Sequence, residues 1–136
     1  MEKTSIIIAT HGRFGEELVK SAEMIIGSTT DVYNVSLLPE KSFEDFMAEV
    51  EKILKRLNGK VIALVDLFGG TPSNVLTVLT KKYKYKVITG VNLPMFIELY
   101  MQNSTGTVVY DELVTNALEN GATNIICTND QLERED

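Results

Sequence analysis

Residues 60–74 of the chain read KVIALVDLFGGTPSN, and this stretch decides the fold because it joins a buried strand to a helix through a short loop. Val61–Val65 is a continuous apolar run, which is typical of a strand covered on both faces of a parallel sheet. Residues 66–70 form its polar, glycine-rich exit loop. Thr71 is expected to cap the next helix and Pro72 to be its first residue, since proline suits the first helical turn.

The same alternation of strand and helix continues on both sides of this stretch. Ser42 and Asp45 form a capping-box pattern before a helix-spaced apolar run, in which Phe43 and Phe46 are expected to be core residues. Alternating strands and helices form a parallel sheet with helices on both faces, and right-handed crossovers favour an α/β doubly wound order of 2-1-3-4. The other strands of this sheet are expected at residues 4–9, 32–37 and 85–89.

The C-terminal region is predicted as a last strand followed by a tail. Asn124–Thr128 contains a short apolar run that is predicted as a strand, with Cys127 as a buried thiol inside it. Residues 129–136 are polar and acidic and are expected to form a flexible tail. We therefore expect one domain over residues 1–128.

Composition excludes several classes of function. The chain has 136 residues, with 13 basic and 19 acidic side chains and a net charge of −6, which argues against nucleic acid or an anionic membrane as a partner. One histidine and one cysteine exclude the usual zinc sites, and no metal or cofactor is expected. No segment is apolar for long enough to span a membrane and no signal-peptide pattern is present, so we expect a cytoplasmic protein.

Two polar residues fall where the predicted sheet would place chemistry. His11 leaves strand 1 and Asp66 leaves strand 3, and these strands are neighbours at the point where the winding of the sheet reverses. Adjacent strands lie about 4.8 Å apart, so the two side chains are expected to touch. A carboxylate that accepts the proton of His11 Nδ1 would leave Nε2 unprotonated and nucleophilic.

The surrounding loops favour an anion, because three helix N-termini are expected near this point. These helices follow Gly12–Gly15, Gly70–Thr71 and Asn92–Pro94. Each feature also has a purely structural interpretation: His11 as a structural histidine, Asp66 as a turn or helix cap, and the Gly-Gly-Thr-Pro run as a tight turn. Neither a Walker A motif nor a G-x-G-x-x-G fingerprint is present. We interpret Arg13 as a solvated surface side chain, and the lysine run in the same way. The run consists of Lys81, Lys82, Lys84 and Lys86.

Three motifs carry a family resemblance that covers nearly the whole chain. They read IATHG at 8–12, VDLFGGTPSN at 65–74 and GVNLPM at 90–95. With these motifs in this order, the sequence resembles the IIA component (EIIA) of the mannose family of the bacterial phosphoenolpyruvate-dependent sugar phosphotransferase system (PTS).

The resemblance implies a phosphohistidine relay. It makes His11 the nucleophile, phosphorylated by phospho-HPr, with Asp66 as its Nδ1 partner and Thr71 beside the phosphoryl group. The backbone N–H groups at the helix starts of Gly12 and Gly70 are expected to meet the same group. A separate EIIB protein would accept the phosphoryl group and pass it to a sugar that arrives through membrane EIIC and EIID components. The acidic chain would be steered towards a positively charged patch on HPr. The resemblance also implies a homodimer and an additional antiparallel edge strand, which Asn124–Thr128 matches.

Two alternatives remain open at the level of sequence. The first is the related phosphotransfer subunit that feeds a dihydroxyacetone kinase, whose first domain is similar. The second is a small-ligand or regulatory binding module that has kept the fold and lost phosphotransfer, although the presence of both His11 and Asp66 argues against it. The sugar cannot be inferred, because an EIIA protein does not bind it.

Overall fold

A computed structural model of the chain describes residues 3–135 and contains a four-stranded sheet. The sequence of elements is β1 (Ser5–His11), α1 (Phe14–Ile26), β2 (Val32–Leu37), α2 (Phe43–Arg56), β3 (Val61–Val65), α3 (Thr71–Val78), a short 3-10 turn (Leu79–Lys81), β4 (Lys86–Ile88), α4 (Leu93–Thr105), α5 (Tyr110–Thr123) and α6 (Thr128–Glu135).

All the strands of this sheet are parallel, in the order β2-β1-β3-β4. The central strands β1 and β3 pair with Ala9 opposite Val65, and every residue of β3 is buried. One apolar cluster lies between the sheet and α1, α4 and α5, and a second lies between the sheet and α2 and α3. The predicted doubly wound fold, with order 2-1-3-4 and helices on both faces, is therefore confirmed.

Local signals at the helix ends are confirmed for α2 and corrected for α3. The Ser42 hydroxyl accepts a hydrogen bond from the backbone N–H of Asp45, as the capping pattern predicts. At α3 the cap is Gly70, so Thr71 is the first helical residue and not the cap. Helix α5 continues through Gly121, where a Cβ atom would lie 2.7 Å from Cε of Met95, so this glycine serves close packing.

The predicted antiparallel edge strand is wrong. Residues 124–127 are irregular, no described residue forms an antiparallel pair, and the side chains of Ile125 and Ile126 are 78% and 57% exposed. Their β-branched, apolar sequence has a high strand propensity, but propensity alone does not form a strand, and these residues pair with none of the four described strands. Cys127, predicted to be buried, is exposed for the same reason.

Helix α6 covers most of the residues that were expected to form the acidic tail. Its described side chains are all exposed, and residue 136 lies outside the described part of the chain. The boundary between a domain at 1–128 and a tail at 129–136 stays a prediction. Within residues 3–135, every helix is too short or too polar to cross a membrane.

Candidate functional site

The carboxyl ends of β1 and β3 bring His11 and Asp66 into direct contact. Nδ1 of His11 lies 2.8 Å from Oδ2 of Asp66, and the backbone N–H of His11 donates to the same oxygen at 2.8 Å. The other carboxylate oxygen, Oδ1, accepts the backbone N–H of Leu67 at 3.0 Å. Both oxygens of Asp66 are thus engaged by groups at the strand ends, which holds the carboxylate in one orientation.

This contact determines the chemical state of the imidazole. An ionised carboxylate only accepts hydrogen bonds, so Nδ1 carries the proton and Nε2 keeps its lone pair. The His11 side chain is 49% exposed while that of Asp66 is 12% exposed. The arrangement therefore presents Nε2 to solvent and holds the ring against a largely buried carboxylate that can stabilise positive charge on it.

The β3–α3 loop lies directly against the imidazole. A Cβ atom on Gly70 would lie 2.6 Å from Cε1 and 3.2 Å from Nε2 of His11, so any side chain there would have to displace the ring or the loop. The first hydrogen bond within α3 is donated by the N–H of Asn74 to the carbonyl of Gly70, so earlier N–H groups have no acceptor inside the helix. Its first turn contains no acidic side chain. This end of α3 is therefore suited to a negatively charged group near Nε2.

The start of α1 lies beside His11 but its charge is already balanced. Gly12 has a φ of +56° and donates its N–H to the carbonyl of Leu37 at 2.8 Å. In the first turn, the Glu16 carboxylate accepts a hydrogen bond of 2.6 Å from the Ser36 hydroxyl and one of 3.2 Å from the Arg13 guanidinium. The Ser36 hydroxyl is the main cause that lowers the pKa of Glu16, and Arg13 also lowers it. Arg13 is therefore paired with Glu16, although its side chain remains 62% exposed.

The third predicted helix start, that of α4, has another role. The Asn92 side chain accepts a hydrogen bond from the N–H of Met95 at 3.0 Å and donates to the carbonyl of Gly121 at 2.9 Å. It therefore caps α4 and joins it to α5. No residue of this helix start lines the pocket beside His11, because β3 separates β4 from β1.

A pocket of about 420 Å³ lies beside the imidazole, and sequence reasoning missed one of its walls. His11, Gly12 and Thr71 line one side, and the segment between β2 and α2 lines the other with Leu37, Leu38, Pro39, Lys41 and Phe43.

Phe43 was predicted to be a core residue, and that prediction is wrong, because its side chain is 45% exposed at this pocket. Helical spacing placed it on the apolar stripe of α2, but it is the first residue of the helix, beyond the edge of the core. The prediction for Phe46 is correct, since it is fully buried. The position of the β2–α2 segment in the sequence could have predicted this wall of the pocket. The segment follows β2, and the carboxyl end of β2 adjoins that of β1.

The site contains no evident metal centre. Among residues 3–135, His, Cys, Asp and Glu side chains do not converge in any group of three or more. Lys41, the cation in the pocket wall, directs its Nζ to the carbonyl of Ser36 and to Glu49, both at 2.7 Å. The chemistry that the arrangement supports is therefore that of a nucleophilic imidazole beside an anion-binding helix end.

Fold and site together define a class: a doubly wound α/β protein with a half-exposed histidine, paired with an aspartate, at the switch point of its sheet. Residues 5–118 match the family model EIIA-man, described as PTS system fructose IIA component, and the chain belongs to this family. EIIA components of the PTS are phosphotransferases, and the family as a whole works with HPr and EIIB components.

Known proteins similar to the chain agree with this assignment. It is 36% identical over 120 residues to the PTS system mannose-specific EIIAB component of Escherichia coli K12, covering 86% of this chain and 37% of that protein. It is 31% identical over 98 residues to the PTS system fructose-specific EIIA component of Bacillus subtilis, covering 70% of this chain and 67% of the relative.

A solved structure gives the same answer for the fold. The phosphotransferase system component EIIA from Streptococcus agalactiae superposes with a TM-score of 0.85 at 28% identity, covering 93% of this chain and 98% of that one. The dihydroxyacetone kinase alternative finds no support in these matches. The chain spans little more than a third of the E. coli relative, 37% of its length, so the activity of that whole protein is not transferred to it.

Proposed function

We propose that the chain is a cytoplasmic phosphoryl carrier of the PTS, which accepts a phosphoryl group from phospho-HPr on Nε2 of His11 and passes it to an EIIB component. The observation that carries the proposal is the 2.8 Å contact between His11 Nδ1 and Asp66 Oδ2. It supports the proposal because it leaves the opposite nitrogen of a half-exposed ring free to attack. EIIB would then phosphorylate a sugar that arrives through EIIC and EIID.

The transfer is a substitution at phosphorus. The Nε2 lone pair of His11 attacks the phosphorus of phospho-HPr, and the bond from phosphorus to the donor nitrogen breaks with its electron pair returning to the donor. His11 then carries an Nε2–P bond and a positive ring, with the Nδ1 proton still bonded to Asp66. The carboxylate offsets that charge without itself taking the proton. Transfer to EIIB is the same substitution in the opposite sense, with His11 as the leaving group.

The α3 start supplies the groups that would stabilise the phosphoryl oxygens. Gly70 lies against the imidazole, and the N–H groups at the beginning of the helix are available to an anion there. Thr71 lines the same pocket, and its hydroxyl is not used as the helix cap. We therefore assign Thr71 as a donor to a phosphoryl oxygen, with Gly12 and Gly70 allowing close approach.

HPr and EIIB would dock on exposed apolar side chains, most of which follow His11 or Asp66 closely in the chain. Phe14 is 48% exposed, Phe43 is 45% exposed, Leu67 is 50% exposed and Phe68 is 86% exposed. A protein that exchanges a phosphoryl group with His11 must approach this surface. Apolar side chains of this kind support a transient interface of modest area, which suits a partner that leaves after each transfer.

A homodimer is part of the proposal. The exposed apolar side chains of Ile125 and Ile126, together with the unpaired edge of β4, give two surfaces that a second copy could cover. Light scattering at micromolar concentration is expected to give twice the 15.1 kDa mass of the chain. A mass equal to one chain under those conditions would show that the dimer is wrong without affecting the phosphoryl carrier.

Mass spectrometry tests the phosphohistidine directly. After incubation with phosphoenolpyruvate, enzyme I and HPr, the protein is expected to gain one phosphoryl group that is labile in acid and stable in base. The sequence contains a single histidine, so His11→Ala is expected to remove the modification completely. The proposal would be overturned if a phosphoryl group persisted on the His11→Ala variant. It would also be overturned if the wild-type protein gained no phosphoryl group from a cognate donor. Omitting HPr from the mixture is the control for the donor.

A further inference from the structure

A second pocket lies at the opposite end of the sheet from His11. It has a volume of about 510 Å³, larger than the pocket beside the imidazole, and we refer to it as the lysine pocket. Lys60 and Lys86 enter it from the amino ends of β3 and β4, and Val109 and Tyr110 enter it from the start of α5. Because β3 is five residues long, about 17 Å of strand separates this pocket from the end that carries Asp66.

The charge of the lysine pocket is opposite to that of the chain. Lys60, Lys84 and Lys86 line it together with one acidic residue, Asp111, while the whole chain has a net charge of −6. The salt bridges found within residues 3–135 that involve a lysine use Lys20, Lys41 and Lys82 instead. The lysine run at 81–86 therefore divides into two parts. Lys82 is paired with Glu51 on the surface, whereas Lys84 and Lys86 face the pocket.

The walls of the lysine pocket are fixed by hydrogen bonds. The hydroxyl of Tyr110 donates to the carbonyl of Val61 at 2.6 Å and accepts the backbone N–H of Lys86 at 2.9 Å, which joins the start of α5 to β3 and β4. The hydroxyl of Tyr85 donates to the carbonyl of Leu76. Burial raises the pKa of both phenols, so neither adds negative charge at neutral pH.

One of the cations is also held in place. Nζ of Lys60 lies 5.5 Å from the centroid of the Tyr110 ring, which is within the range of a cation–π interaction. The pocket thus places an ammonium group against an aromatic wall, with the side chain of Lys60 still exposed to solvent. Preformed cavities of roughly 300–1,000 Å³, mostly apolar and with a few convergent charges, are typical of small-molecule sites.

We infer that the lysine pocket binds a small organic phosphate, with the anionic head on Lys60, Lys84 and Lys86 and the apolar body against Tyr85, Val109 and Tyr110. The inference is independent of the proposed phosphoryl relay, because the pocket shares no residue with the site at His11. A dianion suits the net charge of +2 that the lining side chains provide. A ligand with an apolar body is favoured over inorganic phosphate because much of the wall is carbon.

Titration with phenyl phosphate, followed by ¹⁵N NMR, tests the inference. Saturable shifts are expected at the amides of Lys86, Tyr110 and Asp111, with weaker binding of inorganic phosphate and of phenol because each supplies half of the ligand. Lys60→Gln with Lys86→Gln is expected to weaken binding at least tenfold. Lys60→Arg with Lys86→Arg keeps the charge and is expected to retain binding. Lys81→Gln, in the same lysine run but outside the pocket, is the matched control and is expected to change nothing.

Three results would overturn the inference. One is the absence of saturable shifts at about 10 mM probe, where a site of millimolar affinity would be mostly filled. Another is a set of shifts confined to residues 11–12 and 66–71, which would assign the phosphate to the His11 site alone. The third is equal binding by the glutamine variant once its spectrum shows that it is folded.

Discussion

Two helices begin beside His11, and the glycine at each start has a different neighbour. In α1, a Cβ atom on Gly15 would lie 2.8 Å from both Ile8 Cγ2 and Asn34 Oδ1, against the sheet. In the β3–α3 loop, a Cβ atom on Gly70 would lie 2.6 Å from the His11 ring. One glycine lets a helix pack on the core, and the other lets a loop lie against the imidazole of His11.

The two helix starts also differ in the number of acidic side chains in their first turns. The first turn of α1 contains Glu16 and Glu17, and Glu16 is bonded to Ser36 and Arg13. The first turn of α3 contains no acid. Since like charges repel, the α3 start is the one that favours a phosphoryl group, while the α1 start contributes to stability. Substitutions at the two starts should therefore separate transfer from folding.

Asp66→Asn is expected to have the largest effect on transfer. Both carboxylate oxygens of Asp66 accept hydrogen bonds from N–H groups. The side-chain amide of asparagine has only one oxygen, so in either orientation its NH₂ group would face an N–H donor. The amide also lacks the charge that stabilises a phosphorylated ring. The rate of transfer from phospho-HPr is expected to fall on the order of a hundredfold or more. Stopped-flow or quench-flow kinetics measure it, with circular dichroism to verify folding, and a normal rate would reduce Asp66 to a turn residue.

Gly70→Ala is expected to have the next largest effect. The new methyl group must displace the His11 ring or the loop, so transfer should slow at least tenfold, about 1.4 kcal/mol in the barrier. Stability should change little, since the backbone at Gly70, with φ −86° and ψ 173°, suits any residue.

Gly15→Ala is the matched control for Gly70→Ala at the other helix start. Overpacking against Ile8 and Asn34 should cost about 1–3 kcal/mol in the free energy of unfolding. Transfer per folded molecule should be almost unchanged. Urea unfolding and transfer kinetics are measured on both variants. Equal losses of stability and of transfer rate in the two variants would contradict the assignment of folding to the α1 start and of transfer to the α3 start.

Thr71→Ala is expected to have a smaller effect, confined to transfer. The Thr71 hydroxyl does not cap α3, so the free energy of unfolding should stay close to that of the unmodified protein. Loss of one neutral donor to a phosphoryl oxygen should slow transfer by several-fold, about 1 kcal/mol. Ser42→Ala removes a true cap and serves as the control: it should lose about 1 kcal/mol of stability and keep normal transfer. Unchanged kinetics in Thr71→Ala would remove Thr71 from the site.

Glu16→Gln is expected to have the smallest effect, a slight loss of stability at neutral pH together with a weaker dependence of stability on pH. The hydrogen bond from Ser36 lowers the pKa of Glu16 below its ordinary value of 4.5, so the group stabilises the fold above that pH. This contribution is lost as the pH falls through the lowered pKa. The variant should therefore lose less stability than the unmodified protein between about pH 5 and pH 3. Thermal unfolding at several pH values tests this, and a drop in phosphoryl transfer at neutral pH would contradict it.

Residue patterns predicted much of the fold and the central pair of the site. The apolar run of β3 and the helix signals around it led to the parallel order β2-β1-β3-β4, which the structure confirms. Adjacency of β1 and β3 then placed His11 next to Asp66, because neighbouring parallel strands end at the same edge. These features follow from local periodicity and a topological rule, both of which are contained in the order of residues.

Other features could not be predicted, because they depend on what each segment meets in space. Phe43 satisfies the helical apolar pattern yet lies at the pocket. Ile125 and Ile126 have the propensity of a strand yet pair with no strand within residues 3–135 and stay exposed. The lysine run appears uniform in sequence, but Lys82 pairs with Glu51 and Lys86 faces a cavity.

By itself, then, the sequence determined the alternating elements, their order in the sheet and the meeting of His11 with Asp66, since hydrophobic periodicity and strand adjacency are local or topological properties. Only the tertiary structure decided that Gly70 lies against the imidazole, that the β2–α2 segment forms a wall of its pocket, and that Glu16 at the α1 start is held by Ser36. Those outcomes depend on distances between segments far apart in the chain, which packing sets.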